Sequence, residues 1–302
     1  MKYVKFLFIT MLFFATASFG QALKASTGSS TGTYSRQAKE ISLACINTIQ
    51  LQEVNSTGSI QNIDRLVGNE VNAIWTQADV LFYRARTEDL SNIKTLVALA
   101  PEEVHIVKLT QAKEKEGGFG GIGGSPIRIN NINDLAGRKV VAAGGSYVTA
   151  QVIRLQTEIN FSVIEANTND DALAMVTAGT AHAAILVGGQ PLGAIQKLDR
   201  SFSLVSIPEA TMVKLKNVYK PAKVNYTNIG AAGVQTVSTD ALLVVREYKT
   251  PKMVASLSQL RKCILDHVGE LSETIGMHPS WSKIDVKNQG KWAWYDLPDT
   301  KK

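Results

Sequence analysis

The chain has 302 residues, of which 45% are hydrophobic and 19% charged, and its formal net charge is +6. This composition excludes a disordered or fibrous chain, and the length suits one large domain or two lobes of ordinary size. Two cysteines, Cys45 and Cys263, allow at most one intramolecular disulfide and form no C-x-x-C pair, so we expect neither a disulfide scaffold nor a structural metal.

The first 22 residues have the pattern of a secretory signal peptide. Two lysines precede an apolar run over residues 6–14, and small residues follow it. Cleavage after Ala22 or after Gly20 satisfies the small-residue requirement, and we favour Ala22. The alternative, a membrane anchor, is disfavoured because an apolar stretch of about 15 residues falls short of the roughly 20 that span a bilayer. The sequence therefore predicts an exported protein.

The positive charge is spread along the chain. Lysines such as Lys214, Lys216, Lys220 and Lys223 stand apart from one another instead of forming a dense basic cluster. Nucleic-acid binding usually needs basic residues gathered on one face, so we expect no nucleic-acid partner. A weak positive field still favours anionic solutes.

From Leu23 onward, short β-type runs alternate with helical periodicity, which predicts an α/β fold. The segments Gly28–Tyr34, Ser56–Ser59 and Gln77–Asp79 each follow a predicted strand and lead into a predicted helix. Open α/β sheets bind ligands at the carboxyl ends of their strands. These segments should therefore share one edge of the sheet.

A second lobe with the same alternation follows a glycine-rich segment, 117–124. We interpret that segment as a mobile surface loop, because it lacks the G-x-x-x-x-G-K-[ST] spacing of a phosphate cradle. In the second lobe, Gly144–Thr149 follows a strand and opens a helix, and Gly188–Pro191 closes another strand.

The chain is predicted to return to the first lobe through the strand Val234–Val245. The boundaries are then a signal peptide at 1–22, lobe 1 at 23–105 and 240–302, and lobe 2 at 106–239 including the glycine-rich loop. We also expect an aromatic tail to attach the C-terminal helix to lobe 1, and it comprises Trp292, Trp294 and Tyr295.

The order of these motifs resembles the periplasmic solute receptors of the TAXI type, which serve tripartite TRAP transporters. The motifs that carry the resemblance are Gly28–Tyr34, Ser56–Ser59 with Asn62, Gln77–Asp79, Asp134–Val140, Gly189–Pro191, Thr236–Val245 and His278–Pro279. Gly144–Thr149 departs from the family's tighter glycine-serine-glycine-threonine turn, the glycine-rich loop looks inserted, and 215–232 is hard to align.

The resemblance implies a two-lobed type II periplasmic binding protein fold, in which each lobe is a mainly parallel sheet flanked by helices and the ligand cleft lies between the lobes. It further implies a monomeric, periplasmic, non-enzymatic receptor without a cofactor. Such a receptor would capture a small anionic or zwitterionic solute, an amino acid or organic acid, and deliver it to membrane permease subunits. The sequence leaves open a sensor that signals to a membrane receptor without transport.

Helix N-termini carry unpaired N–H groups and partial positive charge, which attract carboxylate oxygens. The residues predicted to contact the ligand at such turns are Ser30, Thr31, Gly32, Thr33, Tyr34, Thr57, Gly58, Ser59, Gln77, Asp79, Gly145, Ser146, Tyr147, Thr149, Gly189, Gln190 and Pro191. The alternative for each hydroxyl is an ordinary N-cap or turn residue.

Three of these residues have specific alternatives. Asp79 could receive a ligand ammonium group or cap the following helix, and Tyr34 could frame the ligand or belong to the core. Tyr147 could narrow the pocket or stack on the solute.

An enzyme is the main rival class. The four histidines are isolated, and Ser146, the conceivable nucleophile, has no base identifiable from the sequence. In the implied fold the C-terminal helix returns to lobe 1, so Cys45 and Cys263 could form a disulfide in an oxidising compartment. The alternative is a pair of buried free thiols.

Overall fold

The computed structural model describes residues 22–113 and 126–297. The predicted signal peptide, apart from Ala22, and the predicted glycine-rich loop at 117–124 lie outside these residues. Within the described part of the chain, no helix is both long and apolar enough to cross a bilayer.

The strands follow the predicted alternation with the helices. They are β1 (Leu23–Ser26), β2 (Leu51–Val54), β3 (Ala73–Gln77), β4 (Ile93–Leu109), β5 (Ala112–Lys113), β6 (Pro126–Ile127), β7 (Lys139–Ala143), β8 (Ser162–Ala166), β9 (Ala183–Gly188), β10 (Phe202–Leu204), β11 (Lys220–Tyr226) and β12 (Ala231–Arg246).

The α-helices are α1 (Thr33–Ala44), α2 (Ser59–Val67), α3 (Ala78–Arg84), α4 (Gly145–Thr157), α5 (Asn169–Thr177), α6 (Gly193–Gln196), α7 (Glu209–Leu215) and α8 (Pro251–Glu273). Short 3-10 helices cover Ile132–Leu135, Thr227–Ile229 and Pro279–Lys283.

Lobe 1 and lobe 2 share one arrangement of strands. Lobe 1 has the order β2-β1-β3-β12-β4, and lobe 2 has the order β8-β7-β9-β4-β10. In each lobe the first three strands are parallel and the last two run antiparallel to their neighbours. The parallel strands of both lobes therefore direct their carboxyl ends, and the loops that follow, toward the region between the lobes.

Two long strands connect the lobes. Strand β4 pairs with β12 along Ile93–Glu103 and with β9 along Glu103–Val107. Strand β12 pairs with β3 in lobe 1 at its carboxyl end and with β11 at its amino end. Pro101 and two glutamates interrupt the apolar run of β4 without ending the strand.

Three apolar clusters hold the layers together. One lies on the face covered by α2, α3, α4 and α7 and includes residues of both lobes, such as Ile63 and Ile153. The other two belong to one lobe each: α1 and α8 cover the opposite face of lobe 1 around Trp75, and α5 packs on lobe 2 around Ile195. Because the two lobes share the first of these cores, their side chains pack against one another on that face of the sheet.

The C-terminal helix is attached to lobe 1 covalently and by packing. A disulfide joins Cys45 at the end of α1 to Cys263 in α8. The Arg261 guanidinium donates to the carbonyl of Tyr295 (2.7 Å) and stacks 4.4 Å from the centroid of Trp294. Trp294 and Tyr295 therefore lie on α8, whereas Trp292 packs edge-on against Phe82 and donates from Nε1 to the carbonyl of Ile93.

Candidate functional site

A cavity of about 600 Å³ lies between the lobes, at the carboxyl ends of all six parallel strands. This volume is within the range of small-molecule sites. The wall consists of Gly28, Ser29, Thr31, Gly32, Thr33, Tyr34, Ser56, Thr57, Gly58, Ser59, Gln77, Glu102, Ala143, Gly144, Gly145, Ser146, Asn167, Thr168, Asn169, Val187, Gly188, Leu192 and Gly193.

Helix N-termini from both lobes open onto this cavity. Helices α1, α2 and α4 have Gly32, Gly58 and Gly144 as their N-cap residues, and because glycine has no side chain, no N-cap side chain accepts from the first N–H groups of these helices. Gly58 (φ 119°) and Gly144 (φ 51°) have left-handed backbone conformations that other residues rarely adopt. Exposed N–H groups of lobe 1 and lobe 2 therefore face one space.

Helix α5 of lobe 2 begins differently. The Thr168 hydroxyl accepts a hydrogen bond from the backbone N–H of Asp171 (3.0 Å), which caps the helix. This N-terminus therefore offers fewer unpaired donors than those of α1, α2 and α4, and its cavity-facing residues contribute amide and hydroxyl side chains instead.

Five of the serines and threonines predicted to contact the ligand line the cavity, and they are Thr31, Thr33, Thr57, Ser59 and Ser146. Ser59 Oγ accepts from the Gln77 N–H (3.2 Å), and Ser146 Oγ accepts from the Val187 N–H (3.0 Å). Because these bonds use the oxygen as acceptor, they hold the side chain while its O–H remains able to donate.

A carboxylate that the sequence analysis missed, Glu102, forms part of the wall. It lies in β4 where the strand passes between the lobes, is only 7% exposed, and accepts a hydrogen bond from the Tyr34 hydroxyl (2.9 Å). Burial raises the pKa of Glu102 to about 7, and the negative charges of Asp79 and Glu103 add to the rise. Hydrogen bonds from Tyr34 and Gln77 act in the opposite direction.

Gln77 contacts both lobes. Its side chain is buried, and its Oε1 has no hydrogen-bond partner in the described part of the chain. An added Cβ at Gly145, the first residue of α4, would overlap this oxygen. Glycine at position 145 therefore permits the close approach of lobe 2 to lobe 1.

Asp79, predicted to contact the ligand or to cap α3, is fully buried outside the cavity wall. Its Oδ2 accepts hydrogen bonds from Thr149 Oγ1 (2.5 Å) and Tyr219 Oη (2.8 Å), both from lobe 2. Its Oδ1 accepts from the Val80 N–H (3.0 Å) at the start of α3. Burial raises the pKa of Asp79 and, together with the charge of Asp79, that of Tyr219. Asp79 and Thr149 therefore connect the lobes behind the cavity.

Four other residues that were predicted to contact the ligand lie outside the cavity wall, at a second contact between the lobes or on the surface. Gln190 Oε1 accepts from the Asn225 N–H (2.7 Å), and its carbonyl accepts from Lys283 (2.7 Å). Gly189 and Pro191 flank it outside the cavity wall. Ser30 is exposed at the rim of the turn before α1.

Tyr147 also lies outside the wall. Its hydroxyl accepts a hydrogen bond from Gln151 Nε2 (3.1 Å) one helical turn further along α4, and its ring packs against the shared core. Neither contact narrows the cavity or presents the ring to a solute.

The wall residues absent from the prediction include a polar segment of lobe 2 and one carboxylate of lobe 1. Asn167, Thr168 and Asn169 follow β8, so the rule that polar residues at strand ends face the ligand could have found them. Glu102 carries no such signal, because it lies inside a long strand and not at a turn.

One group of metal-ligand types occurs among the described residues: Cys45, Cys263 and His267. Both sulfurs are joined in the disulfide, so they offer no thiolates to a metal in this state. The cavity wall contains one acidic side chain and no histidine or cysteine.

No family model matches the chain, and no curated protein matches it. Solved structures with a similar fold include the GluR0 ligand-binding core in complex with L-glutamate, at 13% identity and a TM-score of 0.51 over 82% of this chain and 95% of that one. Tv2483 bound to L-arginine has 12% identity and a TM-score of 0.51 over 83% of this chain and 86% of that one. XAC2383 from Xanthomonas citri bound to ATP has 10% identity and a TM-score of 0.50 over 82% and 84%.

These similarities confirm the predicted fold class. The chain has the two-lobed type II periplasmic binding protein fold, with helices on a mixed sheet in which three neighbouring strands of each lobe are parallel, whereas a mainly parallel sheet was predicted.

Proposed function

We propose that the chain is an exported solute-binding protein that captures a small carboxylate between its lobes and delivers it to a membrane transporter of the TRAP type. The observation that carries the binding part is the convergence of three uncapped helix N-termini, from α1, α2 and α4, on one cavity. Each offers N–H donors and partial positive charge to an anionic oxygen.

The division of the wall between two lobes supports capture by closure. A ligand that contacts α1 and α2 on one side and α4 on the other stabilises the arrangement in which the lobes approach. Two of the similar structures hold an amino acid, L-glutamate or L-arginine, which supports a ligand of that size.

Binding without catalysis is supported by the composition of the wall. Ser146, the conceivable nucleophile, bonds to the backbone N–H of Val187, and the described wall has no histidine, lysine or cysteine to activate it. Export and delivery to a TRAP-type permease rest on the N-terminal sequence pattern and on the order of motifs.

A thermal-shift screen followed by isothermal titration tests the binding part. The purified protein is titrated with amino acids, dicarboxylates and hydroxy acids, and we expect at least one to bind with 1:1 stoichiometry and to reduce the radius of gyration in solution scattering. If every carboxylate leaves both the unfolding temperature and the scattering curve unchanged at millimolar concentration, the proposal is wrong.

A second experiment separates delivery from sensing. Uptake of the identified ligand is measured in cells from which this chain has been deleted. Transport predicts loss of high-affinity uptake and its recovery with the restored chain, whereas unchanged uptake would favour a sensor.

A further inference from the structure

We propose that Glu102 sets the class of ligand: the cavity takes an acid that also carries an ammonium group, and the Glu102 carboxylate accepts hydrogen bonds from that ammonium. The inference rests on the proposed function and narrows it from carboxylates in general to amino acids.

The first step is the charge of the wall. Two of the described wall residues are ionisable, Glu102 and Tyr34, and of these Glu102 alone has an ordinary pKa in the acidic range. Its side chain is more than nine-tenths buried. It takes part in no salt bridge within the described part of the chain. Buried carboxylates are normally paired with a cation, so a ligand ammonium supplies what the protein side chains do not.

The second step is the capacity of the carboxylate. The Tyr34 hydroxyl occupies one acceptor position on Oε2. A carboxylate has about four lone-pair sites, so positions for further donors remain after Tyr34 and the Gln77 amide. The Oε1 of Gln77 does not add an acceptor for the ligand, because it is buried against Gly145 of lobe 2.

The third step is the position of the opposite charge. The uncapped N-termini of α1, α2 and α4 favour a carboxylate in the same cavity. A ligand with both charges satisfies the helix ends and Glu102 together, whereas an acid without an amine brings its negative charge toward a second carboxylate. Asp79 does not serve as the ammonium acceptor, because Thr149 and Tyr219 bond to it behind the wall.

The groups that face Glu102 define a pH dependence. They are Tyr34 on α1, Asp79 on α3 and Glu103 on β4 itself, while uncharged Thr239 is its register partner on β12. Because the pKa of Glu102 is raised to about 7, the carboxylate forms as pH rises through neutrality. Amino-acid affinity should therefore increase over that range.

The test uses pairs of probes that differ only in the amino group. L-glutamate is compared with glutarate, L-leucine with 4-methylpentanoate, and L-arginine with 5-guanidinopentanoate, by isothermal titration at pH 8.0. We expect at least one amino acid to bind, with its deaminated partner about 30-fold weaker or more. Lowering the pH to 5.5 should weaken the amino acid about tenfold but not the deaminated acid.

The variant Glu102→Gln keeps the size and one acceptor but removes the charge. It should reduce amino-acid affinity about 30-fold, abolish the pH dependence, and leave the deaminated acid bound as well as before or better. Glu103→Gln is the matched control, since Glu103 is a neighbouring buried glutamate outside the wall, and its amino-acid affinity should stay within about threefold at pH 8.0.

The outcomes separate the two proposals. If a deaminated acid binds as tightly as its amino acid, or if Glu102→Gln binds the amino acid undiminished, the assignment of Glu102 is wrong while carboxylate capture stands. If no probe of any pair and no other carboxylate of the thermal-shift screen binds to the wild-type protein at millimolar concentration, the proposed function is wrong and the assignment falls with it. The pH dependence of amino-acid affinity in the wild-type protein tests the assignment of Glu102 even if the Glu102→Gln variant does not fold.

Discussion

Lobe 1 and lobe 2 have the same strand order but contribute different chemistry to the cavity. Lobe 1 supplies the acidic carboxyl and the aromatic hydroxyl of the wall, Glu102 and Tyr34, together with Gln77. Lobe 2 supplies the N-terminus of α4, Ser146 and the polar segment 167–169, and none of its described wall residues is ionisable, whereas the uncapped N-termini of α1 and α2 belong to lobe 1. The ionisable part of the wall therefore comes from lobe 1, and the proposed assignment of Glu102 makes lobe 1 the lobe that distinguishes amino acids from other acids.

The lobes also differ in how they are held. Lobe 1 contains the disulfide between α1 and α8 and the packed aromatic tail. Lobe 2 has no disulfide among its described residues, and it meets lobe 1 through the shared core and through Asp79. The disulfide therefore fixes α8 to lobe 1, whereas the two lobes are joined by the shared core, by the strands β4 and β12 and by hydrogen bonds.

The largest expected effect tests the covalent attachment in lobe 1. Cys45 and Cys263 are 218 residues apart, so their bond closes a loop that includes all of lobe 2. Replacing both by alanine should lower the free energy of unfolding by about 3 kcal/mol, because the unfolded chain gains conformational freedom. Urea unfolding measures the loss, and reduced wild-type protein should match the variant. An unchanged midpoint in both would show that the bond does not stabilise lobe 1.

The next effect concerns how much the buried carboxyl of Glu102 lowers the free energy of unfolding. Because the folded-state pKa of Glu102 is about 7 against an ordinary 4.5, the folded state binds the proton more tightly than the unfolded chain. Stability from this group is present below about pH 4.5 and is lost as pH rises through 7. Glu102→Gln should therefore be more stable than the ligand-free wild type by about 2 kcal/mol at pH 8.5 and equal to it at pH 4.

Thermal and urea unfolding across this pH range check the prediction. A Glu102→Gln variant that is less stable than wild type at pH 8.5 would mean that the carboxylate has a stabilising partner. The matched Glu103→Gln variant shows how far the loss of a neighbouring negative charge alone changes the pH dependence of the free energy of unfolding.

A smaller effect tests the contact behind the cavity. Tyr219→Phe removes one of the two lobe 2 hydroxyls that donate to Asp79. We expect the free energy of unfolding to fall by about 1.5 kcal/mol. The loss should be larger at pH 8 than at pH 4, because at pH 8 the group that loses its donor is the ionised carboxylate. Tyr83→Phe, outside this network, is the control. Equal losses at both pH values would indicate that Asp79 stays protonated throughout.

The smallest effect tests the close approach of the lobes. Gly145→Ala places a methyl group against Gln77 Oε1 and should weaken ligand binding about tenfold by displacing Gln77, although alanine favours the helix. Gly269→Ala is the control, because a Cβ at that position in α8, outside the cavity wall, has open space. Isothermal titration distinguishes the two, and equal affinities would contradict the role assigned to Gln77.

The fold was predictable because its signals are local. Helices α1, α2 and α4 begin in the predicted turn segments Gly28–Tyr34, Ser56–Ser59 and Gly144–Thr149, each of which follows a strand. The region 202–226 was not resolved into elements by the sequence pattern: β10 has three residues, α7 only seven, and β11 carries Pro221. Short elements and an interrupted strand leave too little periodicity to detect.

The candidate site was predictable in part for the same reason. Hydroxyls at strand-to-helix turns, such as Thr57 and Ser146, line the cavity because topology brings the turns together. Asp79 occupies such a turn but points into the lobe contact, and Glu102 enters the wall from the middle of β4. Both depend on how the second lobe packs against the first, which no local pattern contains.

Native mass spectrometry of the protein purified without denaturation, with identification of the molecule released at pH 5, tests the central claim most directly. The account predicts one small molecule per chain that carries both a carboxyl and an amino group, and its loss from Glu102→Gln. A stoichiometric acid without an amine, retained equally by wild type and Glu102→Gln, would contradict it.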